Sequence, residues 1–354
     1  MKNIKIQHFF CSLCISFSCL ITTHAQGLNF ERPTESKLRI VNYNAYFTSI
    51  FPNDDGSLHE GQLDRIDQFA AWAVKADADI WTLQEVLYGK GEERRQRTAE
   101  GIARYFEKVT SKSWHVAADN RGRLVLSRFP ITWSFGDREN VDSLGRGQAV
   151  LVDIPTAVHT KDLLIVNQHL RPKASSTAER RQEAQEIAQF LNAVLRGEYP
   201  EINPATTALM VCGDFNSTYS DDPYHIIKKL DTSAKPNDGK EAYFLDPHSR
   251  QLHVLPTNDI TIGAVFWENE AGTSAYEIQG RRVDFVLYDP GFMYLRQSFI
   301  LNSLVLPALI LKKSELAREA VWLDKIPGAV PPDFNPEDRT VAFFDHLPLI
   351  LDFE

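Results

Sequence analysis

Short apolar runs that each finish on an acid, an amide or a histidine constrain this chain more than any other feature. Leu38-Arg39-Ile40-Val41-Asn42-Tyr43-Asn44 has a strand pattern ending on Asn44, and Ile80-Trp81-Thr82-Leu83 runs into Gln84-Glu85. Leu163 to Val166 leads into His169, and Thr207 to Cys212 ends at Gly213-Asp214-Phe215-Asn216. Val283 to Tyr288, which contains Asp284, and a segment around Phe343 to Ile350, which Asp345-His346 enters, supply the last strands. A strand end holds a side chain rigidly and still lets it face solvent, so chemistry is expected there.

Further strands are expected at Trp114 to Ala117, Leu124 to Leu126 and Ala149 to Asp153. Leu63, Ile66, Phe69, Ala70 and Ala73 recur at helical spacing between Gln62 and Lys75, and a second helix is expected from Glu93 to Tyr105. Ser176-Thr177-Ala178-Glu179 reads as a capping box. The helix behind it reaches about Leu195 with Ile187, Phe190, Leu191 and Val194 on one face. With 43% apolar and 24% charged residues, and no repeat, low-complexity tract or dividing linker, the chain reads as one α+β or layered α/β domain, mostly sheet.

Residues 1–25 stand apart from that domain. Lys2 and Lys5 precede a mainly apolar run from Ile6 to Thr22, closed by Thr23-His24-Ala25. The run is short and interrupted for a membrane span, and reads as a signal peptide. Ser16-Phe17-Ser18 before Cys19 does not match a lipoprotein box. Residues 26–354 are then expected to form the folded domain of an exported protein, periplasmic or secreted. Removing the leader takes away Cys11, Cys14 and Cys19, leaves Cys212 alone, and moves the net charge from −9 to −11 by loss of two lysines. An acidic protein lacks the broad basic footprint of non-specific nucleic-acid binding. A nucleic-acid substrate is still compatible with an acidic site that a cation neutralises.

The apolar stretch Phe299 to Leu311 lies in an expected insertion at about 290–340. It is too short to span a bilayer as a helix. Burial under a long loop is the plainer reading, and peripheral membrane contact the other.

Glu85, His169, Asp214, Asn216, Asp345 and His346 together offer oxygen ligands for a hard divalent cation, a base for water, and donors for charge on phosphate oxygens. Zinc fits less well, because Cys212 is alone in the mature chain and no His-x-x-x-His spacing occurs. Arg171 and Lys173 follow His169 on a loop expected to border the cleft, where they either attract phosphate or are simply solvated. Arg128 reads as structural. Asn216-Ser217-Thr218 fits a glycosylation sequon, discounted because its asparagine is wanted in the site.

Val41-Asn42-Tyr43-Asn44, Asp79 to Val86, Ser127-Arg128-Phe129-Pro130-Ile131, Asn167-Gln168-His169-Leu170, Gly213 to Ser217, Arg282 to Val286 and Asp345-His346-Leu347-Pro348 occur in one order along the chain. In these segments the sequence resembles the endonuclease/exonuclease/phosphatase superfamily, which includes secreted nucleases, sphingomyelinases and inositol-polyphosphate phosphatases. The resemblance implies an α+β four-layer αββα sandwich, with two mixed β-sheets packed face to face, helices outside and the active site at one edge. It implies a metal-dependent phosphoric ester hydrolase using Mg²⁺, with Mn²⁺ as a substitute. Asn44, Glu85 and Asp345 would be metal ligands. Asp214 and Asn216 would orient or deprotonate water, His169 would donate to a phosphate oxygen, and His346 would pair with Asp284 as base or as transition-state donor.

Phe344 stands where the family commonly has serine, and Tyr43 where many nucleases have tryptophan; the Tyr-Asn form looks more like sphingomyelinases. The implied substrate is a phosphodiester, either a phospholipid head group or nucleic acid, with no obligate protein partner. A non-catalytic binding module on the same fold is the alternative; such a module is expected to lack one of the acids or histidines.

Overall fold

The computed structural model describes residues 31–45, 69–70, 72–86, 92–119, 121–135, 144–217, 220–231, 241–247, 283–291, 293–300, 346 and 348–354. Eleven strands form two mixed sheets among these residues. The first sheet contains β1 (Leu38–Asn44), β2 (Ile80–Gln84), β3 (His115–Ala118), β4 (Leu124–Ser127), β10 (Leu295–Ile300) and β11 (Leu349–Phe353), in the order β10-β11-β1-β2-β4-β3. The second contains β5 (Ile131–Phe135), β6 (Gly147–Val152), β7 (Asp162–His169), β8 (Thr207–Asp214) and β9 (Asp284–Tyr288), in that spatial order. Each sheet has one parallel pair, β1 with β2 and β7 with β8, and every other pairing is antiparallel.

Alternation along the strands explains the layers. Ile80, Ile165, Met210 and Val286 meet between the sheets, in one cluster with Val150 and Leu163. The opposite faces bury against helices. Helix α1 (Glu92–Thr110) brings Ile102 and Phe106 against the first sheet, where Phe106 and Trp72 both meet Trp81 edge-on at 5.4 and 4.9 Å. Helix α2 (Thr177–Leu195) sets Ile187, Leu191 and Val194 over Leu164, Val166, Leu209 and Val211 of the second sheet. A short helix α3 (Asp222–Lys229) packs beside α2. The result is the four-layer αββα sandwich, and residues 69–70 and 72–75 of the first expected helix are helical within it, the helix continuing to residue 76.

The inner faces also carry a polar seam near one end. Gln84 donates to Asn42 Oδ1 at 3.0 Å and, across the sheet interface, to Asn167 Oδ1 at 2.7 Å. Thr82 donates to Asn42 at 2.9 Å, and Asn167 donates back to the carbonyls of Leu83 and Leu124. These bonds offset part of the cost of burying the groups, while Asn42 Nδ2 and Gln84 Oε1 are buried without a partner among the described residues.

Some expectations need correction. Helix α1 runs on to Thr110, whose hydroxyl bonds the Phe106 carbonyl and receives the Trp114 indole N–H. The capping box does not form: Ser176 sits at the N-cap of α2 without a side-chain hydrogen bond, since a 3-10 turn over Ala174–Ser176 feeds directly into the helix. Strands β5 and β10 and helix α3 are additional elements. Phe299, buried, belongs to β10 on the edge of the first sheet, while residues 301–311 lie outside the described set.

Candidate active site

Both parallel pairs end at the same edge of the sandwich, and their ends are the residues singled out in the sequence. Asn44 pairs with Gln84 in register, with Glu85 following directly; His169 pairs with Asp214, and Asp214 pairs with Asp284. Directly opposed residues on neighbouring strands share a face. His169, Asp214 and Asp284 therefore form a row across the second sheet, facing Asn44 and Glu85 of the first. Along each inner face the sequence runs from apolar, through amide, to the site, as in Leu163-Ile165-Asn167-His169 and Ile80-Thr82-Gln84.

Two left-handed backbone conformations aim side chains here, and at Glu85 strand alternation alone would turn the side chain to the helix face. Glu85 has φ 57 and Asn216 φ 46, left-handed values that cost a non-glycine residue about 1 kcal/mol or more and cluster at functional sites. The turn at Glu85 places its Oε1 3.1 Å from Asn44 Nδ2 and 3.4 Å from His169 Nε2. The turn at Asn216 folds its own N–H onto Asp214 Oδ1 at 2.7 Å and its amide onto the Leu170 carbonyl at 2.7 Å.

Asp214 sits at the centre. Its Oδ2 lies 3.2 Å from Asn44 Nδ2, and 3.8 Å from Nε2 of both His169 and His346. His346 Nδ1 meets Asp284 Oδ2 at 2.8 Å. An ionised carboxylate only accepts, so the proton is assigned to Nδ1, and Nε2 is the nitrogen turned towards Asp214.

Burial sets the protonation pattern. It raises the Asp214 carboxyl to about 8, with Asp284 and Glu85 adding and His346 opposing. His169 is pushed well below the usual histidine value by burial, then by Arg146 and Arg123. Its approach to Glu85 is therefore a contact of a neutral imidazole rather than an ion pair. Cys212 is pushed up to about 12 by burial, and its thiol is inert.

Glu85, His169 and Asp214 offer ligand atoms within 4.8 Å of one another, and so do Asp214, Asp284 and His346. Asp214, pushed up by burial and by Asp284 and Glu85, is a group that a divalent cation would relieve, and the carboxylate and amide oxygens here suit a hard ion. The residues fit a metal. Asp345, expected as a ligand, lies outside the described residues; His346 is described and buried.

The softer cations separate. Arg128 bonds Asp79 at 2.9 Å, which supports the structural reading. Arg171 gives Nε to Glu183 at 2.8 Å, so its charge is already partnered, and Lys173 is exposed. Tyr43 is buried on the helix side against Phe69 and Trp72, so its identity concerns packing rather than substrate. Arg146 belongs to none of the sequence motifs. It lies beside His169, whose N–H donates to its carbonyl at 3.1 Å. The sequence signal is an arginine held between two glycines, Gly145-Arg146-Gly147, just before a strand.

The sequence pattern of the Endonuclease/Exonuclease/phosphatase family matches residues 42–305. The chain belongs to this family. No curated protein matches it. Among solved structures, an endonuclease/exonuclease/phosphatase family protein from Leptotrichia buccalis C-1013-b is similar at TM-score 0.51 and 14% identity, over 90% of this chain and 99% of that one. D. rerio TDP2 complexed with a single-strand DNA product is similar at 0.49 and 13%, over 90% and 98%. Beta toxin from Staphylococcus aureus is similar at 0.48 and 13%, over 89% and 99%. The likeness to the Leptotrichia protein is one of fold. Enzymes of the endonuclease/exonuclease/phosphatase family are mostly phosphoester hydrolases and commonly use divalent metals.

Proposed function

We propose that this chain hydrolyses a phosphodiester by attack of water, with Mg²⁺ or Mn²⁺ as cofactor. The observation that supports it best is the convergence of Asn44, His169 and His346 on one oxygen of Asp214. Asn44 and Glu85, with Asp345, are the ligands this reading assigns to the cation. When bound, the cation supplies positive charge for the phosphate oxygens and the leaving oxygen.

The chain's own groups do the rest. Asn216 pins Asp214 through Oδ1 with its N–H and reaches Oδ2 with its side-chain amide at 3.3 Å, and that carboxylate, so held, orients a water among the histidines. Asp284 fixes the His346 ring and stabilises its protonated form, so Nε2 is placed to take a proton from water or hold one against the phosphate. His169, kept neutral, donates from its ring to a phosphate oxygen as charge develops there. All the acids and histidines among the described residues are present, which disfavours the non-catalytic module.

The test is turnover of bis(p-nitrophenyl) phosphate with Mg²⁺. Glu85→Ala is expected to lower it about a hundredfold or more, and undiminished turnover would overturn the assignment. A phospholipid head group and nucleic acid both carry the required diester; turnover of sphingomyelin liposomes against plasmid DNA separates them. We also read residues 1–25 as an export leader, checked by the N-terminal sequence of the protein recovered outside the cytoplasm.

A further inference from the structure

A short turn of the first sheet ties the two sheets together at the active edge. Gly122, Arg123 and Leu124 lead from that turn into β4, and each makes a bond to a different flank of the site. The Gly122 carbonyl accepts the N–H of Val86, the residue after Glu85, at 3.1 Å. The Leu124 carbonyl accepts the side-chain amide of Asn167, two residues before His169, at 3.2 Å. Arg123 crosses to the second sheet, where its Nη1 donates to the Arg146 carbonyl. That same carbonyl accepts the His169 N–H at 3.1 Å. One oxygen thus holds a guanidinium of the first sheet and the backbone of the site histidine on the second.

The Arg123 side chain is fully buried, and Asp119, also buried, fixes it from within the turn by accepting Nε at 2.5 Å. Asp119 accepts the N–H groups of Arg121 and Arg123 as well, at 2.9 and 3.1 Å, so turn and guanidinium are set as one unit. A lysine would neutralise Asp119 equally. Its donors sit on one nitrogen, however, and do not span the two acceptors that Nε and Nη1 reach separately.

The site itself straddles the sheets. Asn44 and Glu85 come from the first, His169 and Asp214 from the second, and Glu85 Oε1 stands 3.4 Å from His169 Nε2. An arrangement split between two packed layers depends on their spacing, and an error of about 1 Å can cost about a hundredfold in rate.

We propose that Arg123 is a positioning residue: by gripping the Arg146 carbonyl it sets the separation of the two sheets at the active edge, and with it the placement of His169 against Glu85. The inference rests on the phosphodiesterase reading above and deepens it with a buried brace behind the reacting groups.

The experiment uses the full chain as wild type, Arg123→Lys, the double variant Arg123→Met with Asp119→Asn, and Asp352→Asn. The last breaks the buried Arg39–Asp352 pair at the other end of β1 from Asn44. Turnover of bis(p-nitrophenyl) phosphate with Mg²⁺, and backbone amide exchange without added metal, are measured for each well below its Tm. In both Arg123 variants kcat is expected to fall about tenfold or more, with KM within about twofold of wild type. Exchange at the His169 amide is expected to quicken about tenfold, while Ile165 in the middle of β7 is unchanged. Asp352→Asn loses stability but neither kcat nor His169 protection. Wild-type kcat in either Arg123 variant would reduce Arg123 to a counter-ion for Asp119, and a lowered kcat with unaltered exchange at His169 would place its action elsewhere; both results overturn the proposal. If the wild type turns over no diester, the phosphodiesterase reading fails separately. The exchange comparison needs no substrate and then decides the proposal: faster exchange at His169 supports it, and unaltered exchange overturns it.

Discussion

Asp284 and His346 meet at 2.8 Å although they stand far apart in sequence, and this carboxylate decides which imidazole nitrogen faces Asp214. Asp284→Asn keeps the shape and removes the charge. Turnover is expected to fall about 10- to 100-fold. Steady-state turnover of both proteins checks this; an undiminished rate contradicts it.

Arg39 and Asp352 are register partners on β1 and β11, and both are buried. They form a two-pronged pair, Nε to Oδ1 at 2.7 Å and Nη2 to Oδ2 at 2.8 Å. Asp352→Asn strands a buried guanidinium and is expected to cost about 3–5 kcal/mol. Urea unfolding reads that loss, while kcat of the folded protein should be retained because neither residue reaches the site.

Gly213 has φ 128, and a Cβ there would fall 1.9 Å from the Gln168 carbonyl oxygen. Gly213→Ala is expected to destabilise by about 4 kcal/mol or more. Gly197 provides the contrast, since its φ is 75 but open space surrounds it. Gly197→Ala should cost only about 1 kcal/mol. Similar losses in the two variants, measured by thermal melts, would refute steric closeness as the cause at Gly213.

With a chelator present, Asp214 should impose a pH dependence on stability. Its folded value of about 8 lies above the unfolded value of about 3.9. The native state therefore binds more protons, and stability falls as pH rises through that interval. His169 has the opposite sign: its folded value is depressed, so its contribution is present above about 6.5 and is lost as pH falls below it. Between pH 6.5 and 8 only the Asp214 effect operates of the two. The wild-type Tm should drop across that window, Asp214→Asn should flatten the drop, and added Mg²⁺ should offset it. Parallel slopes for the two proteins would contradict the assignment.

The strand ends were legible because an ionisable residue closing an apolar run has few packing explanations. Asn44, Glu85, His169, Asp214, Asp284 and His346 do meet. The direction of Glu85 was not legible, since strand alternation turns it towards the helices and only a left-handed backbone brings it back. The structural part played by Asn42, Gln84 and Asn167 was not legible, because the bonds they make join separate strands and, in one case, separate sheets. β10 was hidden by the polar residues of an edge strand, Arg296, Gln297 and Ser298. Arg146 escaped because a single arginine carries no pattern; only the register across β6, β7, β8 and β9 gives it meaning.

The placement of β11 between β10 and β1 has a consequence for biosynthesis. Leu38 pairs with Phe353, so the first sheet stays split until residues 349–353 enter it, and His346 reaches the site on that same segment. Pairings so distant along the chain form slowly and late. A ribosome-bound chain that has not yet exposed this segment holds Glu85, His169 and Asp214 but neither the closed sheet nor the imidazole that Asp284 positions. A fragment lacking His346 and residues 349–353 is therefore expected to have neither the joined first sheet nor turnover.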